Sequence, residues 1–267
     1  LASSEDFGWA VRRAAQATLA RVPLDLHRRS ECRDRVQKLT IFFSDIMNFT
    51  ETTGKLESED LTNLLNRYLT EMTNIALEHG ATIDQYIGDA IMVFFDDPET
   101  RGVKEDARAC VRMAIAMLRR LAGLREEWLE LGAEQPFHPR MGINTGYVTV
   151  GNFGSEDRMD YTIIGSCVNA TARLEFHAET DGILMGHGTY SLVKDEVDAE
   201  EHEPVKVKGF AEPLRCYKVL GIYDDLLDEG SIIREEQDGF KVLLDLKKHD
   251  RGQAIAALEA IVARLKE

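Results

Sequence analysis

The sequence is short of cysteine, and no two cysteines are closely paired. Cys32, Cys110, Cys167 and Cys216 are scattered, with no CxxC among them. That argues against a disulfide scaffold or a zinc site and for reduced thiols in a cytosolic compartment. No apolar run approaches the roughly 20 residues that a membrane-spanning helix requires. The N-terminal stretch carries Arg12, Arg13 and Arg21 among alanines and lacks the apolar segment of a secretory leader. Positive charge is scarce as well: 32 Lys and Arg stand against 47 Asp and Glu, for a net charge of -15. A protein that grips duplex nucleic acid or an acidic membrane carries a basic surface, so both partners are disfavoured. A small anionic ligand held by a few placed cations is still allowed. There is no internal repeat and no low-complexity stretch. The glycine-rich "GINTGYVTVGNFG" lacks the GKS or GKT ending of a P-loop, and its glycines are expected at turns between strands.

What is present is an ordinary globular composition, 44% hydrophobic and 30% charged over 267 residues, enough for a sizeable core. Residues 7–33 read as a helical segment broken near Pro23, a linker feeding a domain. The run "KLTIFFSDI" (38–46) reads as a buried strand. Ser58 precedes Glu59 and Asp60 as a cap. Leu61, Leu64, Leu65, Tyr68, Leu69, Met72, Ile75 and Ala76 then recur at helical spacing until Gly80 ends the helix. Strands are expected at 81–87 and 90–95 around Gly88-Asp89. A long helix is expected at 103–131, strands at 138–144, 146–151 and 159–164, and a helix at 166–178. Two further strands, in "VKVKGF" and "LRCYKVLG", surround Gly209. Past Gly221, "IYDDLLDEG" reads as an acidic linker, "GFKVLLDL" as a strand, and Asp250 as the cap of a last helix with Ile255, Leu258, Val262 and Leu265 on one stripe. Frequent hairpins favour an α+β fold with a mixed or antiparallel sheet over a doubly wound one. The expected division is a helical linker over 1–36, a main domain over 37–221 and a C-terminal appendage over 222–267.

Asp45 ends the first strand and Asp89 sits in a hairpin bend, both places where a rigid backbone presents a side chain. Either alone is unremarkable, because aspartate is common in turns for its own backbone hydrogen bonds. Two carboxylates that meet repel unless a cation lies between them. Magnesium takes oxygen ligands and commonly uses one or two carboxylates plus substrate phosphates.

Five stretches in order, "FFSDIMNFT", "IGDAIMVFF", "RMGINTGYVTVGNFG", "MDYTIIGSCVNATARLE" and "VKVKGF", resemble the motifs of the class III adenylyl/guanylyl cyclase catalytic domain over about residues 38–220. The resemblance implies a ferredoxin-like α+β unit that works as a head-to-tail homodimer with its active site at the seam. It implies that Asp45, Asp89 and the Ile46 carbonyl hold two Mg²⁺ or Mn²⁺ ions, and that Arg140 of the same subunit reaches the phosphates. The loop residues Phe49 and Thr50 would border the substrate. From the partner it implies Gln85 and Thr162 as the base-reading pair, Asn169 and Arg173 around the ribose and transition state, and Lys208 at the terminal phosphates. Two positions depart from the pattern. Asn48 stands where the family has glycine; Asn tolerates positive φ better than most residues. Gln85 stands where adenylyl cyclases have Lys and guanylyl cyclases Glu.

The implied reaction is attack of the ribose 3′-oxygen on the α-phosphorus of ATP, giving cyclic AMP and pyrophosphate. A Gln amide both donates and accepts, so guanylate cyclase activity or relaxed ATP/GTP specificity is the alternative, and a weakly active nucleotide-binding regulatory dimer a third reading. A diguanylate cyclase would need a GG[DE]EF turn where this chain has "YIGDAI". An upstream sensor is the expected partner of the N-terminal helix, and the full protein could be anchored to a membrane through a preceding region.

Overall fold

The computed structural model describes residues 35–49, 58–130, 137–155, 158–223, 225, 232–237, 240–245 and 250–266. The helix expected at 7–33 and the candidate Thr50 lie outside them. The first strand, β1 (Arg35–Ile46), is the spine of an eight-stranded sheet. Its residues Leu39 to Phe42 are all buried, as in a strand covered on both faces. It pairs antiparallel with β3 (Ala90–Phe95) on one side and with β4 (Pro139–Ser155) on the other. The order is β2-β3-β1-β4-β6-β8-β7, where β2 is Thr82–Ile87, β6 Gly182–Gly186, β7 Val197–Val205 and β8 Leu214–Ile222. β5 (Arg158–Ile164) pairs with the far end of β4. The β4–β6 pair is parallel, so the sheet is mixed.

The helix α1 (Ser58–Glu78) buries Leu61, Leu65, Tyr68, Leu69, Met72 and Ala76, the stripe its spacing calls for. It ends in a Schellman motif: Gly80, at φ 81°, donates to the Leu77 carbonyl, and Ala81 donates to that of Ala76. The second helix, α2, is Val103–Glu130. The third, α3 (Ser166–His177), covers the opposite sheet face, where Leu39, Ile41, Met92, Phe94, Val148, Val150, Ile163 and Cys167 form one core. A short α4 (His187–Val193) follows β6. Residues Lys194–Ala199 and Leu220–Glu267 form a compact unit of their own. It holds the hairpin of β9 (Ile232–Gln237) and β10 (Phe240–Asp245) and the helix α5 (Arg251–Leu265). Asp250 caps α5 by accepting from the Gly252 and Gln253 amides. No helix among the described residues is long and apolar enough to cross a membrane.

Three expectations are corrected. Residues 139–155 are one continuous strand, and Gly146 is no turn: it pairs with Leu39, and a Cβ there would lie 2.8 Å from Cys167 Sγ. The "VKVKGF" stretch is a strand only to Val205; the chain then turns at Gly209, φ 93°. The strand β9 was not expected.

Gly142 sets how closely α3 approaches β4. A Cβ at this position would collide with the Glu175 amide nitrogen and lie 2.5 Å from the Thr171 carbonyl oxygen. Both are backbone and cannot rotate away. Gly142→Ala is therefore expected at the upper end of overpacking costs, about 3 kcal/mol. For a domain of this size that is a fall of about 6–12 °C in Tm, measured by calorimetry. An unchanged Tm would show that α3 is free to shift.

Candidate active site

The carboxylate pair is built by two neighbouring strand ends. β2 and β3 are joined by a two-residue loop, with Ile87 paired to Ala90. Gly88, at φ 69°, supplies the positive dihedral such a loop needs at its first position. Asp89 is the second loop residue, and its Oδ2 accepts from the Ile46 amide at 3.1 Å. That bond clips the hairpin to the end of β1, where Asp45 stands. Burial first, then the charge of Asp45, drives the Asp89 carboxyl well above the usual carboxylate range. Beneath the pair lies Tyr68, fully buried, its hydroxyl 3.2 Å from Ser44 Oγ. Burial, with smaller contributions from both aspartates, raises the Tyr68 phenol far above its ordinary value, so it stays protonated. Among the described residues no group of three or more His, Cys, Asp or Glu is gathered for a metal. Two carboxylates pressed together with too little positive charge are a donor set that suits a divalent cation completing its shell with backbone, water and phosphate oxygens.

Arg140 lies directly across the ladder from Asp45. Its Nη2 is 3.3 Å from Asp45 Oδ2, its Nη1 donates to the Phe176 carbonyl at 3.2 Å, and its Nε stands 3.2 Å from Glu175 Oε1. The last is an ion pair too bent for a hydrogen bond. Arg140 thus joins the carboxylate pair to the C-terminal half of α3. There a cavity of about 400 Å³ is lined by Asn169, Arg173, Glu175, Phe176 and Lys208. Asn169 and Arg173 are one turn apart on the exposed side of α3. Lys208 comes from the loop after β7, whose Val207 is buried against Leu174. The guanidinium groups of Arg140 and Arg173 lie 5.3 and 5.8 Å from the Phe176 ring centroid, a cation–π distance.

The base-reading pair is set by a bulge. β2 is in register with β3 at Ile83↔Val93, and register resumes at Gln85↔Met92, leaving Asp84 as the extra residue. Without it Gln85 would oppose Ile91, on the other face. Opposite Met92 it is turned to the face that carries Phe94, Tyr161 and Ile163. Gln85 is exposed, its amide 4.0 Å from Met92 Sδ. β5 folds back toward this edge: the Tyr161 hydroxyl donates to Asp97, and Thr162 faces Asp84. Phe49 packs edge-on against Phe137, ring centroids 5.9 Å apart, so its ring anchors the loop after β1. Asn48 takes φ 54°, in the left-handed region that asparagine tolerates better than most residues.

Residues 32–221 match the family described as the adenylate and guanylate cyclase catalytic domain. The chain belongs to this family. Among solved structures it is similar to the adenylyl cyclase CyaB from P. aeruginosa, with 52% identity, a TM-score of 0.69, and 71% of this chain and 96% of that one covered. It is also similar to the guanylyl cyclase Cya2, with 33% identity, a TM-score of 0.67, and 72% and 95% covered. A terminal-differentiation-specific adenylate cyclase of Dictyostelium discoideum is 34% identical over 194 residues, 69% of this chain. The match spans 9% of that relative's length. The fold is accordingly the class III nucleotide cyclase fold, α+β with a ferredoxin-like mixed sheet flanked by helices.

Within this cyclase domain, sequence reasoning passed over Glu175, Phe176 and Asp84. Glu175 had a signal. It falls on the buried stripe of α3 with Ala170, Thr171 and Leu174, and a charged residue in such a stripe needs a partner. Burial pushes its carboxyl up to about 7, with Arg140 opposing and Asp45 reinforcing the shift.

Proposed function

We propose that the chain is the catalytic part of an adenylate cyclase, converting ATP to 3′,5′-cyclic AMP and pyrophosphate at the seam of a homodimer. The observation that carries the reading is that one chain presents two half-sites: the Asp45–Asp89 pair with Arg140 beside it, and a cavity edged by Asn169, Arg173 and Lys208, which a two-fold partner would bring to its neighbour's aspartates. ATP is favoured by 52% identity to an adenylyl cyclase against 33% to a guanylyl cyclase. Self-association is favoured by exposed apolar side chains on one sheet face. Val36 and Ile164 both flank Thr149, Tyr147 stands two residues along β4, and these three are 72%, 52% and 70% exposed. Residues 37–221 are the catalytic domain, 1–36 a linker and 222–267 an appendage.

Asp45, Asp89 and the Ile46 carbonyl would hold Mg²⁺ or Mn²⁺, two ions per site. When bound, the ions lower the pKa of the 3′-hydroxyl and carry triphosphate charge. The chain's own groups do the rest. Arg140 and Arg173 offer forked donors and Lys208 a point charge to the phosphoryl oxygens, where charge grows as pyrophosphate leaves. Asn169 orients the ribose, and Gln85 and Thr162 meet the base edge.

Gln85 favours a second reading, relaxed ATP/GTP specificity, since its amide serves either base. Assaying both triphosphates with Mn²⁺ decides. Cyclic AMP is expected as the main product, and Gln85→Lys, which can only donate, is expected to raise the ATP preference about tenfold, the scale of a charged hydrogen bond. Equal selectivity in wild type and variant would remove Gln85 from base reading. No cyclic product from either triphosphate would remove the enzyme reading.

A further inference from the structure

Asp84 has a buried carboxylate at the base-reading edge, and nothing in the mechanism above uses it. It is the extra residue of the β2 bulge. Neither of its carboxylate oxygens has a hydrogen bond of good geometry, and both are shut off from solvent. The polar groups that face it are the Thr162 hydroxyl and the Ile163 amide on β5, with the Asp160 carboxylate near enough to repel it. A buried carboxylate without a firm partner is costly to keep. Burial pushes its pKa up to about 6, which still leaves it ionised, an acceptor only, at pH 8.

We propose that Asp84 is a specificity-determining positioning residue: it accepts the hydrogen bond of the Thr162 hydroxyl, so that Thr162 presents only lone pairs to the base and selects adenine over guanine. The inference rests on the cyclase reading above and on Thr162 as a base contact. A threonine hydroxyl has one proton and two lone pairs. Left to rotate, it would donate to guanine O6 as readily as it accepts from adenine N6. With its proton held by Asp84, only the adenine amino group finds a partner, and guanine O6 meets a lone pair. The ambiguity of the Gln85 amide is then resolved by its neighbour in sequence. One bulge produces both effects, since the extra residue that leaves Asp84 off the ladder also turns Gln85 to the face β5 approaches.

The test measures kcat/KM for ATP and GTP at pH 8 with Mn²⁺ in wild type, Asp84→Asn, Thr162→Val and the double variant, with melting temperatures for each. An asparagine can donate to Thr162 and so frees the threonine proton. The ratio of ATP to GTP efficiency is expected to fall about tenfold in Asp84→Asn, the scale of one mismatched buried polar contact, the larger part of it in KM. Its Tm is expected to hold or rise, because a buried charge has gone. In the Thr162→Val background Asp84→Asn is expected to change the ratio no further, the mark of two residues acting as one. A wild-type ratio in Asp84→Asn, an additive double variant, or a lowered Tm with equal losses on both nucleotides would overturn the assignment and leave the cyclase reading standing. A wild type that makes neither cyclic nucleotide would overturn both.

Discussion

Replacing Asp89 by alanine is expected to lower cyclic AMP formation by about 10³-fold or more while raising the stability of the metal-free protein. The loss in rate follows from the role proposed for the pair. A cation that stabilises transition-state charge contributes several kcal/mol, and each 1.36 kcal/mol is tenfold. The gain in stability follows from the geometry. Asp89 is pressed against Asp45 and largely buried, and its carboxyl is raised well above the ordinary aspartate value of 3.8. In the unfolded chain it loses its proton near 3.8, in the folded chain only at higher pH. The unfolded state therefore binds fewer protons between those values, and metal-free stability is lost as pH rises through that window. Mn²⁺ supplies the missing positive charge and is expected to restore it. The measurements are cyclic AMP production and Tm at pH 6 and pH 8, in EDTA and in Mn²⁺. If Mn²⁺ leaves the wild-type Tm at pH 8 unmoved and the alanine variant melts lower than wild type, the pair is structural and holds no cation.

Much of this centre was legible because its parts are local. The Gly88-Asp89 bend announces itself as a glycine followed by a polar residue between two apolar runs, and the hairpin follows. The Asn169 and Arg173 spacing puts both side chains on one helical face before any packing is known. Asn48 was expected to tolerate a positive φ and takes 54°. What escaped depends on elements far apart in sequence. Gly146 looks like a break within 138–151 and is instead a paired strand residue whose missing side chain admits Cys167 of α3. The bulge at Asp84 leaves no mark in "TIDQYI", because it is a matter of register against β3. Without it the alternation of β2 assigns Gln85 to the wrong face. The link from Arg140 to Glu175 crosses from a strand to a helix 35 residues on, and only the close approach at Gly142 brings the two within 3.2 Å.

Arg173→Ala is expected to cost about 10²–10³ in kcat, the scale of one lost electrostatic contact to developing charge. Arg173 is exposed on α3, and no salt bridge holds it among the described residues, so Tm is expected to stay within about 1 °C, as for most surface substitutions. The stronger result comes from mixing. In the two-fold homodimer proposed above, each site would draw its aspartates from one chain and its Arg173 from the other. One site of an Asp89→Ala/Arg173→Ala heterodimer then carries both lesions and the other carries neither. Equal amounts of the two variants, unfolded and refolded together, form heterodimers in about half the population, each with one sound site of two, so about a quarter of wild-type activity returns. A single chain that supplied its own aspartates and its own arginine would give no such recovery, because every site would keep one lesion. Arg140 bridges Asp45 and Glu175 within one chain and so belongs with the aspartates. An Arg140→Ala chain is therefore expected to be rescued by the Arg173→Ala chain and not by the Asp89→Ala chain. That pattern assigns each side chain to its half of the seam without reference to any static picture of the dimer.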